Sequence, residues 1–223
     1  MFVGRIEEIE IVEQSLLQAR DGNPQHFIIE GERGIGKSSL CLWVDYLAKG
    51  DTTYDGKSRL SFVVVNIELH AAMNYDDIVD AILSELKRQI ATREALTQVC
   101  KKAWDFLSRF QVSGIKYDRP QPLTTDGRRL DELTDVLVNL IEESAGAVEG
   151  VLILIDEADR PPSEAHLGQL CKLLTERMSR RRCENICIGL SGLPDLLQRL
   201  KDSHESSLRI FNILELKPLE FAE

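Results

Sequence analysis

The sequence predicts an α/β fold, with a mainly parallel five-stranded sheet sandwiched by helices. Short β-branched apolar runs alternate with segments of helical periodicity along the whole chain. One such run, "FIIE", leads into the glycine-rich turn "GERGIGKS" and then a helical segment. Another, "VLILI", ends in the acids "DEAD". At 223 residues there is enough chain to bury a sizeable core.

Residues 5–20 read as a helix with Ile6, Ile9, Leu16 and Leu17 near one face, stopped by "DGNP". Residues 25–30 form a short strand, and a helix runs from Lys37 to about Lys49. "LSFVVVNIEL" has the composition of a strand buried on both faces. Asn74 is a cap for the next helix, whose first turn carries Asp76 and Asp77. Leu96, Val99, Cys100, Ala103, Leu107 and Phe110 make one stripe of a second helix. "VSGIKYDRPQP" is a loop or small hairpin, after which Thr124 or Thr125 opens a third helix carrying Leu130, Leu133, Leu137, Leu140 and Ile141. A third strand starts at Val151, and a helix starting at Ser163 carries Leu167, Leu170, Cys171, Leu174 and Met178. "NICIGLSG" is a fourth strand, Pro194 suits the first turn of a short helix, and "IFNILEL" is a fifth strand.

Composition narrows the function. The formal charge of −10 argues against a generally basic nucleic-acid coat. No apolar run approaches the roughly 18 residues that would span a bilayer, and the N-terminus is acidic where a signal peptide is apolar. Five cysteines with no C-x-x-C pair suit a reduced compartment, so a cytoplasmic location without a membrane partner is expected. Cys171, Cys183 and Cys187 with His166 match no common zinc spacing.

Gly31, Gly36, Lys37 and Ser38 fit the P-loop pattern G-x-x-x-x-G-K-[ST], between a strand and a helix as the motif requires. Glycines let backbone N–H groups approach phosphate oxygens, and the helix start adds its positive end to the same anion. Gly31, Glu32, Arg33, Gly34, Ile35, Gly36, Lys37, Ser38 and Ser39 are therefore the expected phosphate cradle. Lys37 would bridge the terminal phosphates, and Ser38 would place its hydroxyl on Mg²⁺. Asp156, at the end of an apolar strand, is a second candidate for the Mg²⁺ shell, and Glu157 is a candidate to orient or deprotonate the attacking water. Ala158 and Asp159 complete the turn after these acids.

"FVGRIEEIE", "GERGIGKSSL", "LILIDEAD" and "ILELKPLEFAE" occur in the order seen in AAA+ ATPases, within the ASCE P-loop NTPases. The chain looks most like the branch of origin-recognition-type initiators and STAND signalling ATPases. The resemblance is dense at the motifs and thin between Tyr75 and Gly150. It implies ATP as nucleotide, a central P-loop strand, and assembly into a homo-oligomer or with a partner protein through the nucleotide site. It also implies that Val3, Gly4 and Arg5 lie near adenine, that Ser191 takes the place of a γ-phosphate sensor, and that Arg209 is an arginine finger acting on a neighbouring subunit. Serine departs from the asparagine often found at the sensor position. The family continues past this point into a helical lid with a second sensor arginine, whereas "KPLEFAE" ends the sequence. The expectation is one P-loop ATPase core over residues 1–223, an N-terminal piece of a larger protein, with a helical elaboration over about 74–148.

Leu69 and Val151 belong to consecutive strands, yet far more chain lies between them than a single crossover helix needs. The surplus helices, with Trp104, Phe106 and Phe110, are either a helical layer packing its own aromatics or a partner surface. Arg177, Arg180, Arg181 and Arg182 either complement a helix C-terminus or contact DNA or a neighbouring protomer.

Overall fold

The computed structural model describes residues 4–53, 59–109, 127–144 and 146–219. Five strands, β1 (His26–Glu30), β2 (Phe62–Glu68), β3 (Gly150–Asp156), β4 (Ile186–Gly192) and β5 (Phe211–Glu215), form one sheet in the order β2-β3-β4-β1-β5. Every neighbouring pair is parallel. The helices are α1 (Ile6–Arg20), α2 (Lys37–Lys49), α3 (Tyr75–Ala91), α4 (Glu94–Val99), α5 (Lys101–Arg109), α6 (Arg128–Glu143), α7 (Leu167–Arg180) and α8 (Leu196–Ser203).

The strands alternate their side chains between two cores, as the period of two requires. Phe27, Ile29, Phe62, Val64, Leu152 and Leu154 join α1 and α2 in one core. Ile28, Val63, Val65, Val151, Ile153 and Ile188 join α3 and α5 to α8 in the other. Nearly all are fully buried, which explains why the strands read as continuous apolar runs. β1 is an inner strand between β4 and β5, so the middle position falls to β4 and not to the P-loop strand.

Local departures from the sequence reading have identifiable causes. Along α1 the buried seam is Ile9, Val12, Ser15, Leu16 and Ala19, while Ile6 is 59% exposed. The expected single helix over 96–110 breaks at Cys100, whose ψ is 61°. Leu96, Cys100, Ala103 and Leu107 are still buried, but Val99 is exposed. The restart is possible because the Glu143 carboxylate accepts from the Lys102 and Ala103 amides at 2.9 and 3.4 Å. That cap comes from a distant helix, so local periodicity does not reveal it.

At Asn74 the expected cap is present as a full capping box with Asp77. Ser163 begins only a 3-10 turn (Ser163–Ala165), and His166, at φ 53°, separates it from α7. Trp104 and Phe106 pack against the second core, which favours the helical-layer reading of the insertion. Phe110, the whole of "VSGIKYDRPQP", Thr124 and Thr125 lie outside the described residues.

Candidate functional site

Parallel register brings the C-terminal ends of β1, β3 and β4 to one edge of the sheet. Glu30 pairs with Gly192, Ile155 pairs with Leu190, and the Ala158 amide donates to the Ser191 carbonyl at 2.8 Å. Ligands of open α/β sheets bind outside this edge, where connections leave in different directions.

The 31–39 turn follows β1 there. Gly34 and Gly36 hold φ of 76° and 102°, a region L side chains rarely adopt. Gly31 passes so close to Leu216 that an added Cβ would lie 3.1 Å from its carbonyl oxygen. Lys37 starts α2, and its Nζ donates to the Gly31 and Glu32 carbonyls at 2.7 and 2.9 Å. The ammonium is thus folded over the turn. Glu32, Arg33, Gly34, Ser38 and Ser39 are exposed, while Ile35 packs against the α1–α2 core.

Ser38 Oγ donates to Asp156 Oδ2 at 3.2 Å, joining the start of α2 to the end of β3 across 118 residues of sequence. The other Asp156 oxygen accepts from the Glu157 amide at 2.9 Å. A hydroxyl beside a carboxylate is a hard-oxygen donor set of the kind Mg²⁺ takes. Glu157 has φ 53°, and its Oε2 accepts from Arg160 Nε at 2.8 Å. That hydrogen bond is the largest of the influences holding the Glu157 carboxyl below its ordinary value, with Lys37 and Arg33 adding to it.

Asp159 is not a free acid of the turn. It is buried, and its Oδ1 accepts from the Leu193 amide at 2.9 Å, pinning the loop after β3 to the loop after β4. Ser191 is fully buried, and its Oγ has no hydrogen bond of good geometry. Burial pushes the Cys41 thiol on α2 up to about 12, and Ser191 acts on it in the opposite direction.

Arg5 is tied to the phosphate turn directly: its guanidinium donates to the Ile35 carbonyl and to Glu8, each at 3.1 Å. The side chain is only 7% exposed. Gly4, at φ 80°, packs against Leu219, where an added Cβ would come within 2.6 Å of a methyl carbon. Val3 lies outside the described residues. Arg209 is exposed in a 3-10 turn (Ser207–Ile210) before β5. Because His26 pairs with Phe211 and Glu30 with Glu215, Arg209 sits at the opposite end of the sheet from the chain's own phosphate turn.

Of the arginine cluster, Arg177 and Arg181 face α6, paired with Asp131 at 2.8 Å and Asp135 at 2.5 Å. Arg180 and Arg182 are exposed. Arg160, Asp159 in its pinning role and the Arg5–Ile35 contact were not singled out in the sequence. The three-residue spacing of Glu157 and Arg160 is the one signal that could have shown their pairing.

The fold is also that of solved proteins. It is similar to Cdc6p from Pyrobaculum aerophilum, with TM-score 0.55 and 16% identity over 98% of this chain and 46% of that one. It is similar to the ORC2 protein of Aeropyrum pernix in its ADP form, with TM-score 0.55 and 18% identity over 97% of this chain and 48% of that one. The chain therefore spans about half the length of these structures, and the likeness carries the fold alone. No curated protein sequence matches it significantly. A family model described as an AAA ATPase domain matches residues 1–185, and the chain belongs to that family.

Proposed function

We propose that this AAA-type domain binds ATP with Mg²⁺ at the 31–39 turn, hydrolyses it, and works as a nucleotide-dependent switch or assembly module of the AAA+/STAND kind. The observation that carries the reading is the meeting of Lys37, Ser38, Asp156 and Glu157 at one sheet edge, with Ser38 bonded to Asp156 at 3.2 Å. The turn's N–H groups and the start of α2 receive the phosphates. Lys37 exchanges its two carbonyl partners for phosphate oxygens. Ser38 and Asp156 would hold Mg²⁺, which supplies charge neutralisation at the phosphates. Glu157 takes a proton from the attacking water, and Gly4 and Arg5, with Val3, border the adenine.

Adenine is supported by the resemblance of the N-terminal motif and by a fold neighbour described in its ADP form. Ser191, near the end of β4, takes the sensor position. Arg209, far from its own turn, acts on a neighbouring copy or partner, because the parallel register leaves it no path to its own site. DNA is the weaker candidate partner, since Arg177 and Arg181 already serve Asp131 and Asp135.

The test compares MgATP binding and turnover in wild type, Lys37→Ala and Glu157→Gln. Lys37→Ala should lose nucleotide affinity. Glu157→Gln should bind MgATP as wild type does and lose turnover by about 10² or more. Undiminished turnover in Glu157→Gln would remove Glu157 from the mechanism.

A further inference from the structure

The two edges of the sheet are built differently. β2, at one edge, is closed in: Val63, Val64 and Val65 are fully buried, and the Arg93 guanidinium donates to the Phe62 carbonyl at 3.2 Å. β5, at the other edge, exposes Asn212, Ile213 and Glu215. The Leu216 amide donates to the Glu30 carbonyl at 2.8 Å, so by the alternation of a parallel ladder Asn212 and Leu214 also turn their main-chain groups to β1. The N–H and C=O groups of Ile213 and Glu215 point away from the sheet, and no described residue bonds to them. Such an edge is a template for another strand unless lysine, proline or a bulge blunts it. β5 has no lysine or proline, and its register with β1 is unbroken.

Beside this edge, on the face that carries α1, lies an open groove of about 550 Å³. Its wall is a stripe of α1 bearing Glu7, Ile11, Gln14 and Gln18, and Asn212 of β5 completes it. Acids and amides dominate the lining, which holds no basic residue. Gln18 Oε1 is shielded from solvent and has no hydrogen-bond partner among the described residues. Glu7 and Glu215 have no ion-pair partner among the described residues either. Glu215 lies in register with Glu30, and its charge, second to burial, holds the Glu30 carboxyl above its ordinary value. The edge therefore calls for an extended main chain, and its surroundings for positive charge and hydrogen-bond donors. Ile11, 41% exposed, and Ile213, 47% exposed, are its apolar contacts. A second copy of this chain is the poorer occupant, because β5 paired with β5 about a two-fold axis would bring two Glu7 stripes together on chains of net charge −10.

We propose that the β5 edge and the α1 stripe form a docking groove for an extended, basic segment of a partner protein, which joins the sheet as a sixth strand. Its main chain pairs with Ile213 and Glu215. Side chains on its α1 face meet Glu7, Ile11 and Gln18, which favours lysine or arginine alternating with apolar residues. The groove lies beside β5, away from the 31–39 turn, so its occupation does not depend on the nucleotide reading.

The test uses the full chain and three synthetic peptides: an octapeptide alternating lysine and valine, its glutamate–valine counterpart, and the lysine–valine peptide N-methylated at alternate residues. Binding is read by fluorescence anisotropy, and the edge by NMR hydrogen exchange. At saturation the lysine–valine peptide should slow exchange of the Ile213 and Glu215 amides about tenfold or more, while the Leu214 amide, already paired with β1, changes little. N-methylation keeps the charge but blocks the ladder, and should weaken binding about tenfold. Glu7→Lys, a surface change that leaves the edge intact, should weaken binding about threefold, and Ile213→Lys should blunt the edge itself. Unprotected Ile213 and Glu215 amides, or equal binding of the N-methylated peptide, would overturn strand addition. Equal binding of the glutamate–valine peptide would overturn the basic character of the partner. A chain that dimerises without peptide, protects the Ile213 amide and loses both in Ile213→Lys would assign the edge to a second copy and overturn the proposal.

Discussion

At the residue scale, the site is a set of short polar contacts made by groups far apart in sequence. Lys37, Ser38, Asp156 and Glu157 were legible because their chemistry fixes both residue type and spacing, glycine-rich turn in one place and strand-terminal acids in the other. Arg160 and Asp159 were not, because a charged residue in a turn is ordinarily a solvated one. What gives Asp159 its role is a backbone amide of another loop, Leu193, which no local pattern announces. Asp159→Ala should leave that amide without its partner in a mostly buried place and cost about 1–3 kcal/mol, read as a lower urea midpoint with unchanged slope. A midpoint within error of wild type would make the pin dispensable.

At the scale of elements, the strands and helices of the sheet were readable from periodicity, while helix boundaries set by remote caps were not. The α4–α5 break, stabilised by Glu143, is the clearest case. β1 hides a second feature. His26 is nearly fully buried; its Nδ1 accepts from the Ile188 amide at 3.2 Å, and its Nε2 lies 3.0 Å from Thr175 Oγ1. With Nδ1 accepting, the ring is neutral and carries its proton on Nε2. Burial lowers its pKa from 6.5 to about 4. The sign follows from linkage. Above pH 6.5 the ring is neutral in both folded and unfolded chains and titration costs nothing. Between 6.5 and about 4 only the unfolded chain takes up the proton, so stability falls as pH drops, by about 3 kcal/mol in all. Chemical denaturation of wild type and His26→Gln across that interval should show a smaller acid loss in the variant. Equal losses would place the acid sensitivity elsewhere.

At the scale of the whole molecule, the all-parallel sheet explains how one chain assembles a phosphate turn and a metal-type donor pair at one edge while sending Arg209 to the other. That separation was hidden in the sequence, since strand order and register are tertiary properties. With the proposed role of Arg209, the site is one that two chains share. Arg209→Ala and Glu157→Gln should each be inactive alone and partly active when mixed, because a mixed contact can join an intact Glu157 site to an intact Arg209.

The most direct measurement of the account is steady-state ATP hydrolysis over a protein-concentration series, wild type beside Glu157→Gln. Turnover per chain that climbs with concentration and is lost in Glu157→Gln is the expected result. Turnover per chain that is independent of concentration, or that survives in Glu157→Gln, would contradict a shared site with Glu157 as its base.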